Sequence, residues 1–378
     1  MNRPPLSLYV HLPWCERKCP YCDFNSHERE DIPEATYVDA LLVDLREELR
    51  RESRPLQTIF IGGGTPSLFS VESIRRLMQG IAAHAECAEG MEVTMEANPG
   101  SVESDRLAGY AAAGVNRFSL GVQSFDDACL QKLGRVHDSR SAAAAIKAAR
   151  ASGVASFNID LMHGLPDQTL AQGLNDIERA IQASAPHISW YQLTIEPNTQ
   201  FFKRPPRLPA EELMGELESA GTRRLTEAGY ERYEVSAWAK PGERCRHNLN
   251  YWNFGDYIAI GAGAHGKLTA NDGSIERYAK TRNPDDYLAA SGTERRSRRL
   301  LSDADRCGEF MLNALRLEEG FFLKSFEERT GLDVARIKPL LSELEEAELL
   351  NLEQGRVRTT GLGRRFLDDV VGRFFDET

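Results

Sequence analysis

Leu8 to Cys22 reads Leu-Tyr-Val-His-Leu-Pro-Trp-Cys-Glu-Arg-Lys-Cys-Pro-Tyr-Cys. Its three cysteines, Cys15, Cys19 and Cys22, have the spacing CxxxCxxC and follow a short apolar segment. A structural zinc site closes its tetrahedron with four protein ligands. A cubane iron–sulfur cluster is also held by four ligands, usually cysteines. A loop with three thiolates therefore predicts a [4Fe–4S] cluster whose fourth iron is open to a ligand that is not protein.

Other uses of these cysteines stay open at this point. A zinc site would need a fourth ligand, which His11 or His27 could provide. A disulfide framework is disfavoured, because seven cysteines is an odd number and the remaining four are isolated in sequence. We expect Cys87, Cys129 and Cys307 to be buried as small apolar side chains.

Composition narrows the class of protein. The chain has 378 residues, enough for a large core and more than one domain. Its net charge of −11 disfavours nucleic acid as a partner, because phosphate binding needs a basic surface. The sequence shows no secretion signal and no stretch long enough to span a membrane, so we expect a cytoplasmic protein with reduced thiols.

Strands and helices alternate through the first half of the chain, which predicts a parallel sheet with helical crossovers. Six such units predict a barrel-like α/β sheet. The predicted strands are Leu6–Leu12, Thr58–Ile61, Met91–Glu96, Asn116–Gly121, Ala155–Leu161 and His187–Ile195. The predicted helices are Glu34–Arg54, Val71–His84, Ser104–Ala113, Ser139–Ser152 and Leu170–Ser184.

Polar residues follow these strands at the points where they end. The cysteine loop follows the first strand, and Gly62–Pro66 follows the second. Glu96, Gln123 and Asp160 end or follow the next three. Loops after the strands of a barrel build its active site, and unpaired buried polar groups cost free energy. We therefore predict a functional rim at this end of the sheet.

The cysteine loop and the glycine-rich turn Gly62-Gly-Gly-Thr-Pro66 together resemble the radical S-adenosylmethionine superfamily. The resemblance implies a partial (β/α)6 TIM-like barrel in which S-adenosylmethionine chelates the open iron of the cluster. The turn suits that role, because a backbone without side chains allows close approach to a bound amino acid.

Further motifs are similar to the oxygen-independent coproporphyrinogen III oxidase group. They are His11-Leu-Pro-Trp-Cys, Cys19-Pro-Tyr-Cys-Asp-Phe, Glu96-Ala-Asn-Pro-Gly, Gly121-Val-Gln-Ser-Phe, Gly134-Arg-Val-His, Asn158-Ile-Asp-Leu-Met-His-Gly-Leu-Pro and His247-Asn-Leu-Asn-Tyr-Trp252. The group has two branches, a decarboxylase and the HemW branch of haem chaperones. The decarboxylase has a fourth cysteine two residues after the third, where this chain has Phe24, and a long arm before the first strand, which here begins at about Leu6.

These departures favour a haem chaperone that delivers haem to acceptor proteins. The alternative is a radical enzyme acting on a tetrapyrrole, such as the decarboxylase; whether the chain is an enzyme stays open, and we expect no decarboxylation. Haem and haem-acceptor proteins, membrane proteins among them transiently, are the expected partners, and the oligomeric state is left open. By resemblance, the S-adenosylmethionine contacts are Tyr9, Tyr21, Gly64, Thr65, Pro66, Glu96, Gln123, Arg135 and Asp160.

A second group of functional residues lies in Cys245-Arg-His-Asn-Leu-Asn-Tyr-Trp252. Haem iron takes His or Cys as an axial ligand, so His247 and Cys245 are haem candidates, and His265 is a weaker one. The alternative is a turn in which His247 bonds to nearby groups while the aromatic residues pack.

The alternation of strands and helices gives way to a mainly helical pattern after about residue 300. Helices at Asp303–Arg316, Leu323–Thr330 and Asp333–Ala347, a hairpin at Leu350–Thr360 and a last helix to Phe375 predict a small winged-helix-like domain. Residues 301–378 contain 11 Lys or Arg and 17 Asp or Glu, a net charge of −6, which opposes DNA binding. The predicted domains are 1–235, the barrel; 236–300, the connecting segment; and 301–378, the C-terminal domain.

Overall fold

The computed structural model describes residues 3–101, 104–290 and 296–376. Its strands are β1 Leu6–Leu12, β2 Trp14–Cys15, β3 His27–Glu28, β4 Leu56–Gly63, β5 Cys87–Ala97, β6 Arg117–Gln123, β7 Ser156–His163, β8 His187–Gln192, β9 Glu231–Glu234, β10 Ala237–Ala239, β11 Asp256–Ile260, β12 His265–Thr269, β13 Ile275–Lys280, β14 Arg296–Leu300, β15 Phe321–Phe322, β16 Leu350–Glu353 and β17 Arg356–Thr359.

The helices between these strands are α1 Glu34–Leu49, α2 Val71–His84, α3 Ser104–Ala112, α4 Asp127–Lys132, α5 Ser139–Ala151, α6 Leu170–Gln182, α7 Gln200–Lys203, α8 Glu211–Glu227, α9 Arg246–Trp252, α10 Pro284–Ala289, α11 Asp303–Ala314, α12 Leu323–Thr330, α13 Lys338–Glu346, α14 Gly361–Arg365 and α15 Leu367–Asp376. Short 3-10 turns cover Pro66–Leu68, Pro99–Ser101 and Val334–Arg336. No helix in the described ranges is long and apolar enough to cross a membrane.

One twelve-stranded sheet organises the molecule, in the order β14-β13-β12-β11-β1-β4-β5-β6-β7-β8-β10-β9. The six strands β1 and β4 to β8 are parallel neighbours, as the alternating sequence pattern predicts. The sheet then continues beyond the predicted barrel on both sides. Strand β11 pairs parallel with β1. Strand β12 pairs antiparallel with β11, β13 with β12, and β14 with β13.

The two faces of this sheet have opposite chemistry because successive side chains in a strand point to opposite faces. In β1, Leu6, Leu8 and Val10 are completely buried and share the main apolar cluster with helix α1. Ser7 and Tyr9 point to the other face. The same alternation in the neighbouring strands directs polar side chains into the interior of the partial barrel, where a ligand can reach them.

Strand β1 and helices α2 and α12 have the predicted bounds, whereas the other predicted elements differ at one or both ends. The predicted helix Glu34–Arg54 ends at Leu49, because Arg54 turns back to pair with Glu52 and with Asp256 at the start of β11. The predicted helix Asp333–Ala347 divides into a 3-10 turn and α13. Pro339 lies in the first turn of α13, where its missing N–H costs nothing.

A second apolar cluster is built mainly from α11, α12, α13, α15 and the sheet β15-β17-β16, and it includes Phe254 and Ile275 from the connecting segment. The predicted hairpin is present as β16 and β17. Strand β15 was not predicted, since two residues are too short to show a period. The boundaries 235/236 and 300/301 stay a prediction, although β11 to β14 of the connecting segment belong to the main sheet.

Candidate functional site

The cysteine loop lies at the carboxyl end of the parallel strands. Strand β1 ends at Leu12, and the chain then forms a short parallel pairing between β2 and β3. All three cysteines, Cys15, Cys19 and Cys22, line one cavity of about 370 Å³ inside the partial barrel. The loop therefore directs three sulfur ligands into a chamber that is large enough for a small molecule.

Each of the three sulfurs has a hydrogen-bond partner. Thr65 Oγ1 donates to Cys15 Sγ over 3.5 Å, and Arg135 Nη1 donates to Cys19 Sγ over 3.6 Å. Cys22 Sγ and the hydroxyl of Ser26 lie 3.9 Å apart.

Burial raises the pKa of Cys15 and Cys22, so their thiolates need a bound cation to form at neutral pH. A bound iron would supply that charge, since a coordinating thiol is deprotonated outright.

The histidines that a zinc site would require are engaged elsewhere. His11 Nδ1 is 3.0 Å from the Tyr9 hydroxyl, and His11 Nε2 is 2.9 Å from the Asn25 carbonyl oxygen. His27 Nε2 contacts the side-chain oxygen of Asn25 at 3.3 Å. In the described part of the chain, no three His, Cys, Asp or Glu side chains converge to hold a single ion. A cubane does not require that convergence, because each thiolate binds a different iron.

The glycine-rich turn fits against the cysteine loop. Gly64 N donates to the Leu12 carbonyl over 2.8 Å, and Thr65 N donates to the Trp14 carbonyl over 2.7 Å. A Cβ at Gly64 would lie 2.5 Å from the Trp14 oxygen, and Gly63 has φ +122°. The glycines are thus needed to bring the turn against the cysteine loop, a reason for them that the sequence argument missed.

Two buried carboxyl groups face the same cavity. Glu96 Oε2 accepts from Gly63 N over 3.1 Å. Asp160 accepts from Ser119 Oγ at 2.8 Å and from Asn158 Nδ2 at 2.7 Å. Burial, with the nearby charge of Asp160, raises the pKa of Glu96 to about 8, and burial also raises the pKa of Asp160. A cationic ligand here would relieve the cost of ionising these groups.

Arginine and glutamine complete this end of the cavity. Arg135 Nη2 donates to the Gly121 carbonyl over 2.9 Å, and Tyr191 donates to Gln123 Oε1 over 2.8 Å. Gln123 has a positive φ of 65°, which turns the chain where β6 ends. The predicted contacts that line this cavity are Tyr21, Gly64, Thr65, Pro66, Glu96, Gln123, Arg135 and Asp160. Tyr9 lines a different cavity, described below.

Several residues that line this cavity carry polar atoms that a ligand could bind. Four such atoms are buried and have no hydrogen-bond partner among the described residues: Thr94 Oγ1, Arg117 Nη2, Arg135 Nε and Trp252 Nε1. Buried polar groups without partners cost free energy, so their presence around one cavity is typical of a ligand site.

Of the two haem candidates in the Cys245–Trp252 motif, Cys245 lines this cavity and His247 does not. Cys245 is buried and lines the cavity; its Sγ is 3.5 Å from Glu92 Oε1, and burial raises its pKa to about 12. His247 is completely buried. Its Nδ1 is 2.7 Å from Thr58 Oγ1 and its Nε2 is 2.9 Å from the Tyr251 hydroxyl. Both ring nitrogens therefore have partners already, and burial lowers the pKa of His247 to about 3.

A second cavity, of about 440 Å³, lies on the other side of helix α9. We call it the outer cavity. It shares Phe24, Gly63 and Glu96 with the first cavity, so the two chambers are adjacent. Its remaining lining residues are Tyr9, His11, Asp23, Asn25, Tyr251, Tyr257, Gly263, His265 and Arg282.

Comparison with known proteins decides the family. Residues 9–178 match the family model described as the radical SAM superfamily, and residues 301–366 match the HemN C-terminal domain. Heme chaperone HemW of Haemophilus influenzae is 48% identical over 380 residues, which cover 99% of each chain. Heme chaperone HemW of Bacillus subtilis is 34% identical, over 98% of this chain and 99% of that protein. The chain belongs to the HemW family.

The fold of this HemW family member also matches a solved structure. Coproporphyrinogen III oxidase HemN of Escherichia coli, described as a radical SAM enzyme, superposes with a TM-score of 0.82. The match covers 98% of this chain and 90% of that chain at 22% sequence identity. The predicted radical SAM partial barrel with its small C-terminal domain is confirmed. Membership of the superfamily also confirms the predicted [4Fe–4S] cluster and S-adenosylmethionine as cofactors.

The residues present fit these cofactors. Cys15, Cys19 and Cys22 would hold the cluster, which supplies an iron with an open position. The side chains that would surround S-adenosylmethionine include Glu96 and Arg135, which match its ammonium and carboxylate groups in charge.

The sequence argument named neither Ser119 nor Tyr191, and it named Asn158 only within a family motif, although all three support the site. Ser119 and Asn158 stand two residues before Gly121 and Asp160, and strand alternation alone would have placed them on the same face.

Proposed function

We propose that this protein binds haem and transfers it to acceptor proteins, with S-adenosylmethionine bound at a [4Fe–4S] cluster. The observation that carries the proposal is 48% identity, over 99% of the chain, to a protein named heme chaperone. The ring of Phe24 supports it. That side chain is 60% exposed at the boundary of the two cavities, at the position where the decarboxylase branch has its extra cysteine.

Within this proposal, Cys15, Cys19 and Cys22 hold the cluster. The contacts named from the sequence surround S-adenosylmethionine, with Tyr21 against the adenine and Glu96 near the ammonium group. The chain's own residues bind and orient that cofactor and exclude water from it. When both are bound, the reduced cluster would supply the electron and the sulfonium would accept it.

Acceptor proteins, the compartment and the domain boundaries belong to the same proposal. The net charge of −6 in residues 301–378 suits a protein partner better than nucleic acid. We place the protein in the cytoplasm, with acceptors that include membrane proteins met transiently. The functional units are residues 1–235, 236–300 and 301–378.

A radical enzyme acting on a tetrapyrrole is the second candidate. The observation that favours it is the chamber beside the cluster, where Arg117 Nη2 and Trp252 Nε1 are buried and have no partner among the described residues. A substrate carboxylate would suit that arginine.

The test consists of a haem titration and a decarboxylation assay, both performed on the same anaerobically reconstituted protein. We expect a saturable Soret shift at about one haem per chain, as for a single axially ligated site. We also expect transfer of haem to an apo-cytochrome, and no carbon dioxide from coproporphyrinogen III in the presence of S-adenosylmethionine and reductant. Cluster-dependent release of carbon dioxide, with no saturable haem binding, would replace the chaperone proposal by the enzyme.

A further inference from the structure

Helix α9 contributes side chains to the walls of both cavities. Its last two residues point to different sides, since Trp252 lines the first cavity, which contains the three cysteines, whereas Tyr251 lines the outer cavity. His247, one turn earlier, lies beneath Tyr251 and contacts its hydroxyl at 2.9 Å. The ring of His247 also lies 5.2 Å from the ring of Phe60. His247 therefore supports Tyr251 from below and lines neither cavity.

Coordination of haem by His247 would require this packing to open. Its side chain is completely buried, and the bonds to Thr58 and Tyr251 occupy both ring nitrogens. A haem iron at Nε2 would break the bond to Tyr251 and leave that hydroxyl without this partner. An iron at Nδ1 would displace Thr58, whose hydroxyl also bonds to Ser7 inside the core. A buried polar group that loses its partner costs the desolvation of its polar atom.

His265 has the properties that His247 lacks. It begins strand β12, its side chain is exposed and it lines the outer cavity. No described residue forms a hydrogen bond with its ring. Partial burial and the charges of Arg277 and Arg282 lower its pKa, which keeps the imidazole neutral, the form that binds iron.

The walls of the outer cavity suit a flat aromatic ligand, and Arg282 offers a cation to a carboxylate on its edge. Tyr9, Tyr251 and Tyr257 form one side, and the rings of Tyr251 and Tyr257 meet edge-on with centroids 4.6 Å apart. Phe24 is exposed at the opening. The exposed Arg282 also lines it and can pair with a carboxylate.

We propose that haem binds in the outer cavity, with His265 as an axial ligand and Arg282 paired with a propionate, while His247 is a positioning residue for Tyr251. This assignment rests on the proposed haem-chaperone function. A single exposed ligand at the surface also suits transfer, because an acceptor can reach the iron without unfolding the barrel. The site lies beside the cluster, with Phe24, Gly63 and Glu96 between them.

The test compares His265→Ala with His84→Ala, a matched control at the exposed end of α2. Ferric haem is titrated into each reconstituted protein and followed by absorption and electron paramagnetic resonance. We expect His265→Ala to lose the histidine-ligated spectrum and to bind haem at least tenfold more weakly, with the control unchanged. His265→Met should bind haem again with a different axial-ligand spectrum.

Arg282→Met is tested with haem and with haem dimethyl ester, whose propionates carry no charge. The variant should bind haem several-fold more weakly than the wild type does and bind the ester equally well. His247→Gln should keep the histidine-ligated spectrum.

Failure of the wild type to bind haem would overturn the proposed function. Normal haem binding with an identical spectrum in His265→Ala would overturn the site and leave that function standing. Loss of the spectrum in a folded His247→Gln or Cys245→Ala protein, with His265→Ala unaffected, would assign the iron to the motif instead.

Discussion

Arg135 donates a hydrogen bond from Nη1 to the Sγ of Cys19 over 3.6 Å, across 116 residues of sequence. The same guanidinium donates from Nη2 to the Gly121 carbonyl, while its Nε has no partner among the described residues. Arg135 is thus fixed between Cys19, a proposed cluster ligand, and the cavity. One side chain can adjust the electronic properties of the cluster and contact a bound carboxylate.

The first prediction is that Arg135→Met lowers the reduction potential of the cluster. A hydrogen bond and a positive charge near a cluster sulfur stabilise the reduced state, which carries one more electron. We expect a negative shift on the order of tens of millivolts, since about 59 mV corresponds to a tenfold change in a one-electron equilibrium. The measurement is a redox titration followed by electron paramagnetic resonance, without S-adenosylmethionine.

Arg140→Met is the control, because that side chain is 93% exposed and pairs only locally with Asp138. An unchanged potential in Arg135→Met, with full cluster content, would show that the bond to Cys19 has no electronic effect.

The second prediction concerns the cluster ligands. Reconstituted wild type should contain about four iron and four sulfide per chain, as for one cubane. Simultaneous replacement of Cys15, Cys19 and Cys22 by alanine should abolish both, whereas Cys87→Ala should keep them, since Cys87 starts β5 away from the loop. Full iron content in the triple variant, or zinc in protein purified anaerobically, would contradict the assignment.

The third prediction is a pH dependence caused by Glu96. Its folded-state pKa is about 8 and its ordinary value is 4.5, because burial and the charge of Asp160 disfavour ionisation. The folded state therefore keeps a proton that the unfolded state releases between these values. The stabilising effect present below pH 4.5 is lost as the pH rises towards 8.

Glu96→Gln removes this titration, so the ligand-free variant should become progressively more stable than the wild type from pH 5 to pH 8. The difference should grow by about 1.4 kcal/mol per pH unit within that window. Urea unfolding at several pH values measures it. Parallel stability curves for the two proteins would mean that Glu96 titrates normally.

The fourth prediction concerns the buried ion pairs between helix α1 and strand β13. Lys280 Nζ lies 2.6 Å from Asp44 Oδ1 and 2.6 Å from Glu48 Oε1, and all three side chains are buried. Lys280→Met would remove the buried cation that lies between Asp44 and Glu48 and should lower the free energy of unfolding by about 3–5 kcal/mol.

Lys324→Met is the matched control, since Lys324 is 82% exposed in a surface pair. It should change the free energy of unfolding by less than about 0.5 kcal/mol. Urea unfolding of both variants at neutral pH checks the difference. Equal stability of the two variants would show that the buried pair contributes little.

The sequence by itself determined the cysteine loop, the glycine-rich turn and the six parallel strands. These features depend on residues close together in the chain, where spacing and strand alternation are readable. Strand β1 and helix α2 have the bounds that the pattern predicts. Short strands such as β12, only five residues between turns, carry too little periodicity to be assigned in advance.

Only the tertiary structure decided which candidate side chains are accessible. His247 and His265 are the same residue type and both are haem candidates from the sequence, yet the first is enclosed by β4 and α9 and the second is exposed in the outer cavity. Cys19 meets Arg135 only because β1 and β6 belong to one sheet. Burial and pairing of this kind depend on segments far apart in sequence, whose packing is settled by the whole core.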